Sequence, residues 1–184
     1  MTKNQYIMFD IRKIQEKVIY KAVKAESDAT TAGNITSHSD EEDTVWVKNT
    51  MKRLEACFDQ PTLKKIRRNC QCGYGMEERL ALLREIMSQT STLEEFANHE
   101  KALASGMSWQ EGELYLEFPF CPCPMVATVE KLETDTWCHC TTGYSKVLFE
   151  RAFGCEVEVE LLKSIKMGDD KCLQKITPLS PVRF

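Results

Sequence analysis

Residues 137–176, WCHCTTGYSKVLFERAFGCEVEVELLKSIKMGDDKCLQKI, decide how the chain is read. Tyr144, Val147, Leu148, Ala152 and Phe153 recur at three- and four-residue spacing, the period of a helix with one buried face. Gly154 stands where a left-handed stop is expected. The period then changes to two: Val157, Val159 and Leu161 alternate with Glu156, Glu158 and Glu160, as in a strand with one face in water. Gly168-Asp169-Asp170 supplies turn residues, and a second strand carrying Cys172 and Ile176 follows. Trp137 to Cys140 reads as a Cys-bearing strand that feeds the helix. Together these elements predict an antiparallel sheet with a helix laid on it.

Working upstream, Leu114, Leu116 and Phe118 alternate with Glu113, Tyr115 and Glu117, which predicts an edge strand after a loop carrying Trp109. Cys121-Pro-Cys-Pro124 ends it, because proline cannot donate to a ladder, and Met125 to Val129 reads as the strand resuming. Thr92-Leu-Glu-Glu95 is a capping box, with His99 on its helix as an exposed residue. Met76, Leu80, Leu83 and Met87 predict a long helix, entered through the turn Cys70-Gln-Cys72-Gly-Tyr-Gly75. Pro61 opens another, with Leu63, Ile66 and Cys70 on one side; its basic run Lys64, Lys65, Arg67 and Arg68 reads as a solvated face. Val47, Met51, Leu54 and Phe58 predict a helix over 44–58.

The remaining divisions are an N-terminal helix within 1–25, a polar linker over 26–43 and a single Cys-rich α+β domain over 44–184. The helix carries Ile7, Ile11, Ile14, Val18 and Ala22, a stripe to be covered by the domain or by a second copy in a homodimer. The linker has Ile35 as its only large apolar residue, and His38 reads as solvated within it.

At 184 residues and 42% hydrophobic, the chain can bury a full core. A net charge of -4 gives no general footing for nucleic acid. No apolar run approaches the roughly 20 residues of a membrane span, and charges interrupt any signal core, so a cytoplasmic protein is expected. Nine cysteines, an odd number, then suggest metal or thiol chemistry before a disulfide scaffold.

Cys121, Cys123, Cys138 and Cys140 form two C-x-C pairs that a short connection brings side by side. Four thiolates suit tetrahedral zinc first and an iron–sulfur centre second. Cross-strand disulfides and inert buried thiols are the alternatives. If the protein is instead a cysteine hydrolase, Cys140 is the candidate nucleophile and Glu160 the candidate base, because a strand at 137–140 points His139 away from both neighbouring thiols. Tyr74, Trp109, Trp137 and Tyr144 are the expected walls of a ligand pocket between helices and sheet.

At Cys138-His-Cys-Thr-Thr-Gly143, Phe153-Gly-Cys-Glu-Val-Glu-Val-Glu160 and Gly168-Asp-Asp-Lys-Cys172 the chain resembles the 4-vinyl reductase domain family. That resemblance implies an α+β fold, with N-terminal helices packed on an antiparallel sheet, and a small-molecule-binding or sensing role. Zinc-binding members place ligands where this chain has Cys138 or Cys140, Glu158 or Glu160, and Cys172. Leu162, Lys163 and Ser164 occupy the stretch of the remaining ligand, which Cys121 or Cys123 would have to replace. A closer similarity, over Trp46 to Ile176, is to a Cys-rich bacterial group sharing the C-G-Y-G, C-x-C-P and C-x-C-x-x-G elements. A neighbouring family is labelled L-2-amino-thiazoline-4-carboxylate hydrolase, which implies the alternative activity, opening of a small sulfur- or nitrogen-containing ring.

Overall fold

The computed structural model describes residues 10–184. In chain order these form α1 (Ile11–Glu26), α2 (Ala29–Thr36), α3 (Asp43–Cys57), α4 (Gln60–Arg68), α5 (Met76–Met87), α6 (Leu93–Asn98) and α7 (Glu100–Ala104). Then come β1 (Met107–Gln110), β2 (Glu113–Phe118), α8 (His139–Phe153), β3 (Val157–Lys163) and β4 (Cys172–Pro178). Short polar residues set several helix starts. Asp10, Asp28, Asp59 and Thr92 each accept a backbone N–H from the residue three positions on, satisfying a donor the helix itself cannot pair.

The four strands make one antiparallel sheet in the order β1-β2-β4-β3. β2 is therefore an interior strand, and β1 supplies the edge expected of it. Leu114, Ile176 and Val159 lie opposite one another across three strands and are buried. The other face is polar: Glu113 pairs with Lys175 at 2.9 Å and Glu117 with Lys171 at 2.6 Å. Helices cover one face and solvent the other, the usual arrangement behind an apolar–polar alternation. The fold is thus α+β, with helices packed on an antiparallel sheet.

The start of α8 departs from the sequence reading. Thr136–Cys138 is a 3-10 turn running into the helix, so Cys138, His139 and Cys140 follow a helical path. Pro124–Val126 is likewise a 3-10 turn in place of a resumed strand. Prolines at 122 and 124 lack the donors a strand needs, and Met125, Val126, Val129 and Leu132 bury themselves without one. At the other end Gly154 adopts φ 67°, ψ 24° and returns its N–H to the Glu150 carbonyl at 3.0 Å, the expected stop.

The N-terminal stripe also moved. Residues 5–9, with Ile7, lie outside the described residues; within α1 the buried positions are Gln15, Ile19, Ala22 and Val23, while Ile11, Ile14 and Val18 are half-buried. α2 and α4 cover this face from within the same chain, where a second copy was the alternative. Residues 29–36, read as linker, form α2, with Ala32, Ile35 and Thr36 buried.

Two cores result. The first joins α1–α4 to residues 125–140, where Trp46 meets Trp137 edge to face at 5.9 Å. The second lies between α5, α6, α8 and the sheet, around Phe96, Phe149 and Phe153. α8 begins in the first core, with Cys140, and ends in the second, with Phe153. No helix among the described residues is long and apolar enough to cross a membrane.

Candidate functional site

The second core is not closed. Between α5, α7, α8 and the end of β2 lies a cleft of about 630 Å3. Its position follows from local sequence. Gly73 and Gly75 take left-handed conformations, φ 72° and 66°, and let the chain reverse from α4 into α5, which aims Arg79 and Leu83 at the cleft. β2 ends in Phe118-Pro119-Phe120; both rings wall the cleft and lie 5.9 Å apart. α8 contributes Tyr144, Leu148 and, one turn earlier, Thr141.

Tyr144 is the hinge of the site. Its hydroxyl donates to the Tyr74 carbonyl at 2.9 Å, and the Arg79 guanidinium stands 5.3 Å from its ring centroid. Burial pushes its phenol up, with Arg79 opposing. A smaller pocket of about 40 Å3 shares Arg79, Pro122, Thr141 and Tyr144 with the cleft and adds Cys72, Cys123 and Cys140. The apolar cleft and the cysteines thus meet at a common wall.

Of the four aromatic residues expected to line a pocket, Tyr144 lines the cleft and Tyr74 the smaller pocket. Trp137 does neither: it is core, packed between Trp46 and the guanidinium of Arg67, which sits 4.1 Å from its ring centroid. Trp109 lies on β1 against the second core. Phe118, Phe120 and Arg79 take their places.

All nine cysteines are free thiols. The five expected to ligate a metal fall in neighbouring but separate settings. Cys121 and Cys172 are neighbours at the junction of β2 and β4. The neighbouring Cys121 thiol brings Cys172 down to about 7 against its burial, and Cys121 is itself pushed up by Cys172 and by burial. Cys138 lies 3.3 Å from the Ser164 hydroxyl, and burial pushes it up to about 11. Cys140 donates to the Cys70 carbonyl at 3.0 Å and receives the Gln15 amide at 3.8 Å; burial pushes it up to about 12. Burial raises Cys123 as well. Among the described residues no three His, Cys, Asp or Glu side chains converge closely enough to hold a metal ion.

The candidate hydrolase pair is not assembled either. Cys140 is buried in the first turn of α8, whereas Glu160 faces solvent on β3. His139, on a helix rather than a strand, reaches Asp135 at 3.6 Å, and its ring is lowered chiefly by burial. The basic run hid a further feature. Arg67 is fully buried, donates one N–H to the Trp137 carbonyl at 3.2 Å and, among the described residues, leaves its Nε and Nη1 without hydrogen-bond partners.

A family model described as "Family of unknown function (DUF6144)" matches residues 8–183, nearly the whole chain, and the protein belongs to that family. No curated protein and no solved structure matches it.

Proposed function

We propose that this DUF6144 member is a binding or sensing module for a small, largely apolar molecule, seated in the cleft between α5, α7, α8 and β2. The size of that cleft carries the reading. Protein interiors leave few voids larger than a water molecule, and about 630 Å3 falls within the roughly 300–1,000 Å3 of small-molecule sites. Its walls have the matching chemistry, with Leu82, Leu83, Leu103, Met107, Leu116, Phe118, Phe120, Leu148 and Phe149 outnumbering the polar groups Arg79, Ser105, Glu117, Thr141 and Ser145. The resemblance to 4-vinyl reductase domains points to the same class of role.

A zinc site forms no part of this proposal. Cys138 is turned to Ser164 and Cys140 to the Cys70 carbonyl, and among the described residues no three His, Cys, Asp or Glu side chains are placed to share one ion. No observation favours the ring-opening hydrolase, whose nucleophile and base lie in different environments.

Titration with the apolar fluorophore N-phenyl-1-naphthylamine tests the proposal. Saturable enhancement at one equivalent is expected, and Ala104→Trp, an exposed substitution at the cleft wall, should abolish it without lowering the melting temperature. Undiminished binding to a folded Ala104→Trp variant would move the probe elsewhere and defeat the assignment.

A further inference from the structure

The cleft wall is mostly apolar, with Ser105 and Glu117 on the α7–β2 side, Ser145 on α8, and Arg79 and Thr141 at the corner where α5 meets α8. Arg79 lines both the cleft and the smaller pocket. Among the described residues it has no carboxylate partner, and its guanidinium stands 5.3 Å from the Tyr144 ring centroid. Thr141 lines both spaces too, and its hydroxyl makes no hydrogen bond among the described residues. The one acid in the cleft wall, Glu117, is already paired with Lys171 at 2.6 Å. The charge presented to an occupant is therefore positive, at the corner where α5 meets α8.

Resting on the cleft reading above, we infer that the ligand is an amphipathic carboxylic acid, its apolar body against Phe118, Phe120 and Leu148 and its carboxylate at Arg79 and Thr141. A guanidinium offers two parallel N–H donors that match a carboxylate, and a charge-assisted pair of this kind is stronger than a neutral hydrogen bond. Stacking on Tyr144 limits the orientations Arg79 can take, so less freedom is lost when the acid arrives. Neutral hydrocarbons would fill the same space yet leave this corner unmatched.

Displacement of bound N-phenyl-1-naphthylamine separates the two layers of the argument. Dodecanoic acid and 2-naphthoic acid are each compared with their methyl esters at pH 7.5. An acid should displace the probe roughly 10- to 100-fold more effectively than its ester, the range expected when a hydrogen bond to a charged group is gained. Arg79→Gln should erase that advantage while leaving the ester unchanged, and Arg79→Lys should restore part of it. Equal displacement by acid and ester, or an acid preference that survives Arg79→Gln, overturns the carboxylate assignment and leaves the cleft standing. Failure of the probe to bind at all removes the cleft reading and this one with it.

Discussion

Gly143→Ala tests the packing that seats α8. Ala is the better helix former by about 1 kcal/mol, so on an isolated helix the change would stabilise. Here the missing methyl group is the reason α4 and α8 approach so closely. A Cβ on Gly143 would lie 1.9 Å from the Arg68 carbonyl oxygen and 2.6 Å from its carbon, where ordinary contact begins at 3.4 Å. The obstruction is backbone, which has no rotamer to change. α4 cannot simply retreat, because Arg68 is tied to the Val159 carbonyl at 2.7 Å and to Glu158 at 2.8 Å. Overpacking by one methyl typically costs 1–3 kcal/mol, and with the helices held from both sides the upper end applies. After the propensity gain is subtracted, a net loss of about 2 kcal/mol is expected. Urea denaturation followed by circular dichroism would show it as a midpoint lower by roughly 1 M. Gly33→Ala is the control: nothing lies within 4 Å of the added methyl in α2, and that variant should gain up to about 1 kcal/mol. If Gly143→Ala matched the parent within 0.5 kcal/mol, by the usual spread of surface substitutions, the helices would be free to part and the reasoning would fail.

Two further outcomes follow from buried groups. Cys138 and Cys140, pushed up to about 11 and about 12, stay protonated in the folded protein above pH 9, where an unfolded chain has lost those protons. The folded state then binds more protons, so stability should fall as pH rises from 9 towards 11, by up to about 1.4 kcal/mol per pH unit per thiol. Cys140→Ser should make the slope in thermal melts shallower, and an unchanged slope would contradict the assignment. Arg67→Met should be neutral or stabilising, since it removes a buried cation whose Nε and Nη1 have no hydrogen-bond partner among the described residues and keeps comparable volume. Arg67→Ala should instead lose about 3 kcal/mol or more through the cavity it leaves. A Met variant as unstable as the Ala variant in urea melts would show that the charge itself holds the first core together.

What the sequence made legible was local. The apolar face of α8, its stop at Gly154 and the alternation through β3 are periodicities carried within one segment, and each appears in the structure where expected. Cys138 and Cys140 misled because C-x-C has the same two-residue spacing as a strand, although a helix places Cys140 and Tyr144 on one face equally well. α2 escaped notice because an eight-residue helix buries only Ala32, Ile35 and Thr36. Arg67 was readable: it stands four residues after Leu63 and one after Ile66, on the face that faces inward, but charge was weighed above position. The cleft was not. Arg79, Phe118 and Leu148 come from three separate segments, and no pattern inside any one of them announces a shared space.

The strand order also has a consequence for how the protein is made. β2 lies between β1 and β4, yet β4 is translated more than fifty residues after it. At the usual 5–20 residues per second the β1–β2 hairpin waits roughly 3–10 s with one edge unpaired. During that interval Leu114 and Leu116 have no sheet to complete, and the nascent chain offers a ribosome-bound edge to chaperones or to mispairing with a neighbour. Synonymous codons that slow elongation between residues 119 and 171 should therefore lower the yield of folded protein, although no amino acid changes.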